Sequence, residues 1–397
     1  MKTNVQIVAT MLSGNSETIV AEAVRSVIAW VDLFLLIDTG IADKTLQIVR
    51  QLAGPKFRCD CFSWCSDFAR ARNFALERAA AHGARWALTV DTDERLLFAG
   101  IKSLEDLRAR LEADPEVLVW LVSFAGGYYA KERIIRVPSQ LSWQGRTHEA
   151  LVGATASQRG ILAGVSFTEL PKNPDQITAK LRRDLEILRD ETQRLPGDPR
   201  WWYYLGQTLE DLGERREAVE AYRQCSVLEG WVEQAAWACY KGAVCLCHLQ
   251  DFQKAIELCA FGLSKQPNSP ELAWLAGLGC YNLGQYANAI CWEQMAVALG
   301  HFKGIRSGCN RTSFRHLIGW YEGPYDVMRF AYRRLGLDQA AEKAEEEFRS
   351  ALRMREAQAG TTRPEKIGES RPASECADSR ELLFDLGSQH GEWLREP

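Results

Sequence analysis

The chain has 397 residues, 46% hydrophobic and 25% charged, with a formal net charge of −4. That length suggests two or three domains of an ordinary globular protein; the charge excludes a bulk nucleic-acid binder, and no apolar run approaches the roughly 20 residues of a membrane span. Met1-Lys-Thr-Asn-Val lacks the layout of a signal peptide, so a cytoplasmic chain is expected, in which most of the 12 cysteines are small core residues.

Val5 to Met11 reads as a first strand, followed by the polar turn Ser13-Gly14-Asn15-Ser16-Glu17. Ile19, Val20, Ala23, Val24, Val27 and Ile28 fall on one side of a helix over about 18–31. Leu33 to Ile37 is a second strand ending at Asp38-Thr39-Gly40, and Asp43 can cap a helix that starts near Lys44. This β-α-β-α order predicts a parallel sheet with right-handed crossovers. Phe57 to Phe62 reads as a short third strand, and a helix runs from Ala69 through Leu76. Arg72 and Asn73 lie near its start, where a cation and an amide either face a phosphate or base edge or are simply solvated. Cys59-Asp-Cys61 and Cys245-Leu-Cys247-His248 lack the paired C-x2-C framework of a zinc site.

The apolar run Trp86 to Val90 ends abruptly in Asp91-Thr92-Asp93-Glu94. It suits a buried parallel strand, and open α/β sheets bind ligands just past the carboxyl ends of such strands. Asp91 and Asp93, two apart in an extended segment, point the same way. Like charges so held favour a cation such as Mg²⁺ or Mn²⁺ with phosphate as its other ligand. The same acids also suit a helix start.

Ser103 opens a helix to about Ala113, and Val117 to Ser123 is a strand broken at Gly126-Gly127. Arg133–Val137 and Leu141–Trp143 read as a hairpin joined through Pro138-Ser139. The polar group Gly145-Arg146-Thr147-His148-Glu149 follows, and its His-Glu pair is either plain surface or part of a site beside the acid-ended sheet.

Pro171-Lys-Asn-Pro174-Asp175 marks a boundary between a domain over 1–174 and a helical one over 175–357. A charged helix covers about 176–194. Trp202, Leu205, Gly206, Leu209, Ala218, Tyr222 and Cys225 then fit the tetratricopeptide pattern, with Ala255 and Ala289 as the matching small residues of two further units and Gly277 as the glycine of the third. The step from Ala255 to Ala289 is the period of about 34 residues, and that from Ala218 to Ala255 is three longer. Such units stack because none buries its apolar face alone. A further helical pair spans about 324–357 around Leu335-Gly336, and 358–397 reads as a disordered tail.

Four pieces in this order resemble the family 2 glycosyltransferases, in the group whose GT-A catalytic domain is followed by tetratricopeptide repeats. They are Asp32 with Asp38-Thr39-Gly40, Asp43 and Thr45; Trp64 with Asp67-Phe68-Ala69, Ala71-Arg72-Asn73-Phe74-Ala75; Asp91-Thr92-Asp93-Glu94; and Thr147-His148-Glu149. Tyr321-Glu322-Gly323-Pro324-Tyr325 also looks like the group's C-terminal part, and bacterial peptide S-glycosyltransferases of the glycocin type are similar in layout. The resemblance implies an α/β GT-A domain followed by an all-α repeat domain. It implies an inverting transfer from a nucleotide-diphosphate sugar, a UDP-sugar, to a peptide, protein or saccharide, with Mg²⁺ or Mn²⁺ as cofactor. By it, Thr10 and Asp38 hold the uracil and ribose, Asn15 joins the donor-binding set, and Arg72 and Asn73 lie by the base or diphosphate. Asp91 faces the ribose and Asp93 binds the metal; His148 adds a metal contact, and Glu149 is the base that deprotonates the acceptor. The repeats recruit the acceptor or a second copy of the chain. The turn Gly14-Asn15-Ser16-Glu17 and the residues Ile41, Ala42 and Lys44 depart from the family's donor loops. These departures leave a second reading open, a degenerate transferase domain on an interaction scaffold.

Overall fold

The computed structural model describes residues 6–126, 129–300 and 314–359. The chain divides into one compact unit that runs up to Asn173 and another that starts at Pro174, and each has its own apolar core.

In the first unit β1 (Ile7–Ser13), β2 (Leu33–Asp38), β3 (Phe57–Cys61) and β4 (Trp86–Thr89) alternate with α1 (Val20–Val27), α2 (Thr45–Ala53) and α3 (Phe68–Ala81). There follow β5 (Glu94–Leu97), α4 (Leu104–Leu111), β6 (Val119–Phe124), β7 (Ala130–Arg136), β8 (Ser142–Gln144), β9 (Ala150–Val152) and β10 (Arg159–Glu169). Eight strands form one sheet in the order β3-β2-β1-β4-β7-β6-β10-β5. The β3-β2-β1-β4 half is parallel; β7 runs antiparallel to both β4 and β6, and β5 antiparallel to β10. Both faces are covered, so successive residues of β1 enter different cores. Ile7, Ala9 and Met11 pack with Val24 of α1, Val49 of α2 and Leu107 of α4, whereas Val8 packs with Ala75 of α3, Trp143 of β8 and Leu151 of β9.

The sheet corrects the expected hairpin over 133–143. β7 is paired on both edges, by β4 and β6, so β8 pairs with β9 as a separate ribbon. Three strands have no counterpart in the sequence reading. β5 and β9 are four and three residues long, too short for a periodic signal. β10 shifts register between Ile161 and Ser166, which breaks its alternation. Gly127 lies outside the described residues.

The second unit begins with α5 (Pro174–Arg194). It continues with α6 (Pro199–Asp211), α7 (Arg215–Val227), α8 (Val232–His248), α9 (Phe252–Lys265), α10 (Pro270–Asn282) and α11 (Tyr286–Gly300). After residue 313 come α12 (Leu317–Trp320), α13 (Gly323–Arg334) and α14 (Asp338–Ala359). Helices α6 to α11 form three consecutive pairs, α6 with α7, α8 with α9 and α10 with α11, in a helical repeat. Ala218, Ala255 and Ala289, one in each second helix, are fully buried. Gly206 lies so close to Tyr222 that a Cβ would sit 2.7 Å from its ring, and Gly277 is likewise closed off by Glu293. Small residues there let each pair approach. The tail expected over 358–397 lies, from residue 360 on, outside the described residues.

Candidate functional site

Parallel pairing brings the carboxyl ends of β1, β2 and β4 to one rim of the sheet, where open α/β sheets carry ligand sites. Ser13 pairs with Asp38, Thr10 pairs with Thr89, and the chain leaves β4 through Val90 into Asp91. Asp67 caps α3 by accepting from the Arg70 N–H at 2.8 Å, which starts the helix just before Arg72.

Arg72 joins three parts of the unit. Its Nε donates to Glu149 Oε1 at 2.5 Å and its Nη2 to Asp91 Oδ1 at 3.2 Å, while its guanidinium lies 5.3 Å from the centre of the Trp143 ring. Arg133 of β7 donates from Nη2 to Asp91 Oδ2 at 3.0 Å and also holds Glu94. Lys131 contacts Glu94 at 3.1 Å and pairs with Glu169. Glu94 closes the turn by accepting from the Asp91 N–H at 3.2 Å. Asp93 pairs with Lys172 at 3.0 Å. Burial pushes the Asp91 carboxyl up, but Arg72, Arg133 and Lys131 outweigh it and hold it well below the usual carboxylate range. Arg72 Nη1 is buried with no hydrogen-bond partner, a cationic donor left over for a further acceptor.

The structure thus brings Arg72, Asp91 and Glu149 together. The other expected residues are engaged differently. Asn73 is bound at both ends of its amide to the backbone of Trp143, at 2.9 and 2.8 Å, so it fastens β8 to α3 instead of facing a phosphate or base. Asn15 Oδ1 accepts from the N–H groups of Ala42 and Asp43, which splices the first loop to the second. Asp38 Oδ1 accepts from Gly40 and Ile41 at 2.8 and 2.7 Å and so shapes its own loop. Thr10 is 2% exposed, with its hydroxyl 3.4 Å from that of Thr89. His148 takes the left-handed backbone conformation, φ +49°, in the connection from β8 to β9. Among the described residues no group of three or more His, Cys, Asp or Glu gathers as a metal set. No described helix is long and apolar enough to cross a membrane.

The chain is similar to a glycosyltransferase. It is 22% identical over 193 residues to the SPbeta prophage-derived glycosyltransferase SunS of Bacillus subtilis strain 168, covering 47% of this chain and 45% of that one, and matches the same protein of Bacillus phage SPbeta equally. It is 32% identical over 117 residues to the TPR repeat-containing protein Synpcc7942_0270 of Synechococcus elongatus, covering 30% of this chain and 27% of that one. The chain spans less than half the length of the curated relatives it matches. A crystal structure of MamA aligns over 48% of the chain and 99% of its own, with 18% identity and a TM-score of 0.35. No family model matches.

Sequence reasoning missed Lys131, Arg133, Glu169 and Lys172. A signal existed for two of them: Lys131 and Arg133 alternate on one strand and so face the same side. Nothing local said that β7 would lie against β4.

Proposed function

We propose that the N-terminal unit is a GT-A glycosyltransferase domain of the family 2 type, which moves a sugar from a nucleotide-diphosphate donor, a UDP-sugar, with inversion. The observation that carries this reading is the Arg72–Asp91–Glu149 linkage at the carboxyl rim of the parallel strands. It joins a cation able to bind phosphate, an acid at the strand end and a carboxylate in a flanking connection. In this reading the unpartnered Nη1 of Arg72 takes a diphosphate or ribose oxygen. Glu149, with one oxygen on Arg72, accepts the acceptor's proton through the other. Asp38 and Asn15 act through the loops they brace, and Thr10 lines the floor beneath the base.

A divalent ion fits here only in the manner usual for Mg²⁺, as one carboxylate ligand completed by substrate phosphate. Asp93 is that ligand, since its partner Lys172 is a half-exposed side chain free to turn away, and His148 lies in the connection next to Glu149. The ion's contribution when bound is to neutralise the leaving diphosphate. The repeats recruit a polypeptide, either the acceptor or a second copy of the chain.

The second reading, a degenerate transferase domain on a repeat scaffold, draws on the engaged state of Asp38, Asn15 and Asn73. One experiment separates the two: incubate the full chain with several sugar nucleotides, Mn²⁺ and candidate peptides, and follow the products by mass spectrometry. Donor hydrolysis or transfer supports the enzyme. Neither with any donor, together with no UDP binding by calorimetry, supports the scaffold.

A further inference from the structure

Residues 314–320 lie against the first helices of all three repeat pairs. Phe314 is 6% exposed, and its ring meets Tyr203 of α6 at 5.8 Å, Trp231 just before α8 at 5.1 Å, and Trp237 of α8 at 5.7 Å, stacked on the last at 14°. Its backbone N–H donates to Glu233 Oε1 at 3.1 Å. Two residues on, His316 shares a hydrogen bond through Nδ1 with the Tyr240 hydroxyl, and its ring lies 5.8 Å from that of Tyr240 and 5.4 Å from that of Trp274. Trp320 then donates from Nε1 to Glu271 Oε1 at 3.0 Å.

The receiving surface has the repeat's own periodicity. Glu233 is the second residue of α8 and Glu271 the second residue of α10, and both are almost fully buried. Each receives a donor from the 314–320 segment. An array that presents the same acid at the same place on successive first helices receives here a segment that is extended at His316 and helical from Leu317, so it reads a chain that turns into a short helix. Extended backbone at His316, φ −112° and ψ 98°, lets alternate side chains enter separate aromatic pockets. Gly319 is needed where the segment comes closest: a Cβ there would sit 2.9 Å from the Cα of Glu271. Aromatic anchors in desolvated pockets are what dominate peptide and protein recognition.

We propose that the face made by α6, α8 and α10 is a peptide-binding surface and that residues 314–320 occupy it as a resident ligand. A polypeptide reaches this face by displacing them, and it does so with the same chemistry: an aromatic residue, an imidazole or second aromatic two positions on, and a tryptophan four residues further. This rests on the reading that the repeats recruit a polypeptide; it stands or falls apart from sugar transfer, because its test reads peptide binding.

The test uses the full chain and a fluorescein-labelled peptide with the sequence of residues 314–321. Anisotropy is measured against wild type and the double variant Phe314→Ala/His316→Ala, whose resident segment is weakened. The expected result is binding to the variant at least about tenfold tighter than to wild type, lost when the peptide itself carries alanine in place of its phenylalanine. Equal binding to both proteins, or none to a variant whose circular dichroism and melting are those of a folded protein, overturns the proposal. If the variant does not fold, hydrogen exchange on wild type decides. Excess peptide is expected to speed exchange in residues 314–320 and leave the rest of the chain unchanged, and no acceleration there overturns it.

Discussion

Arg72 donates from Nε to Glu149 Oε1 at 2.5 Å, so that a residue in the second turn of α3 is tied to one 77 positions along the chain. The same guanidinium reaches Asp91. A planar fork makes both contacts, and a lysine cannot. Arg72→Lys is therefore expected to lower UDP affinity about tenfold while the protein stays folded, and Arg72→Ala to lower it further and reduce stability by about 1–3 kcal/mol, since Glu149 loses its cation and Asp91 keeps only Arg133. Calorimetry and thermal melting check both; unchanged affinity in both variants removes Arg72 from the donor site.

Asp93 carries the metal assignment. Asp93→Ala is expected to abolish donor-dependent activity without unfolding the protein, and EDTA to do the same to wild type. Lys172→Ala, which frees the carboxylate, is expected to lower the Mn²⁺ concentration needed for half activity. Full activity of wild type in chelator sinks the metal role.

Asp38 organises its loop by accepting two backbone N–H groups. Asp38→Ala leaves both without that acceptor, so the loop loosens and UDP binding is expected to weaken by about 1–3 kcal/mol. Titration of UDP into the variant gives the answer, and an unaltered dissociation constant refutes it.

The acid limb of stability reports on Asp91. Arg72, Arg133 and Lys131 hold its folded carboxyl below the ordinary 3.8 against the opposing effect of burial. The folded state then binds the proton less readily than the unfolded chain, so the contribution is present above 3.8 and lost as pH falls through the folded value. Asp91→Asn is expected to flatten the loss of stability below pH 4 in urea titrations run from pH 2 to 6. An identical acid limb in the variant contradicts the ion-pair assignment.

Glu293 predicts the opposite dependence. It is fully buried, neither carboxyl oxygen has a hydrogen-bond partner, and burial, then Asp326, pushes its carboxyl well above the ordinary 4.5. A raised folded value means stability that is complete below 4.5 and lost as pH rises towards that value. Glu293→Gln, which keeps the shape without the acid, is expected to reduce this loss and to be more stable than wild type by about 1–3 kcal/mol at high pH. Melting of both proteins from pH 4 to 9 checks it; parallel curves across that range rule it out.

The sequence by itself determined the features that repeat within a short window. Apolar strands alternating with amphipathic helices specified the parallel half of the sheet, and small residues at matching places specified the helix pairs, because periodicity and burial are properties of neighbouring residues. It also determined that acids follow the Trp86 strand. Only the tertiary structure decided what those acids meet. Lys131 and Arg133 reach Glu94, and Arg133 reaches Asp91, because β7 runs antiparallel beside β4, a pairing between distant segments that no local pattern encodes. The same holds for Asn73, whose type suits a ligand contact but whose amide is taken up by Trp143 of β8. It holds for Phe314 too, whose neighbours come from α6 and α8. Hydrogen bonds and ion pairs act over a few ångströms, so the partner of a polar side chain is settled by which segments the fold makes adjacent.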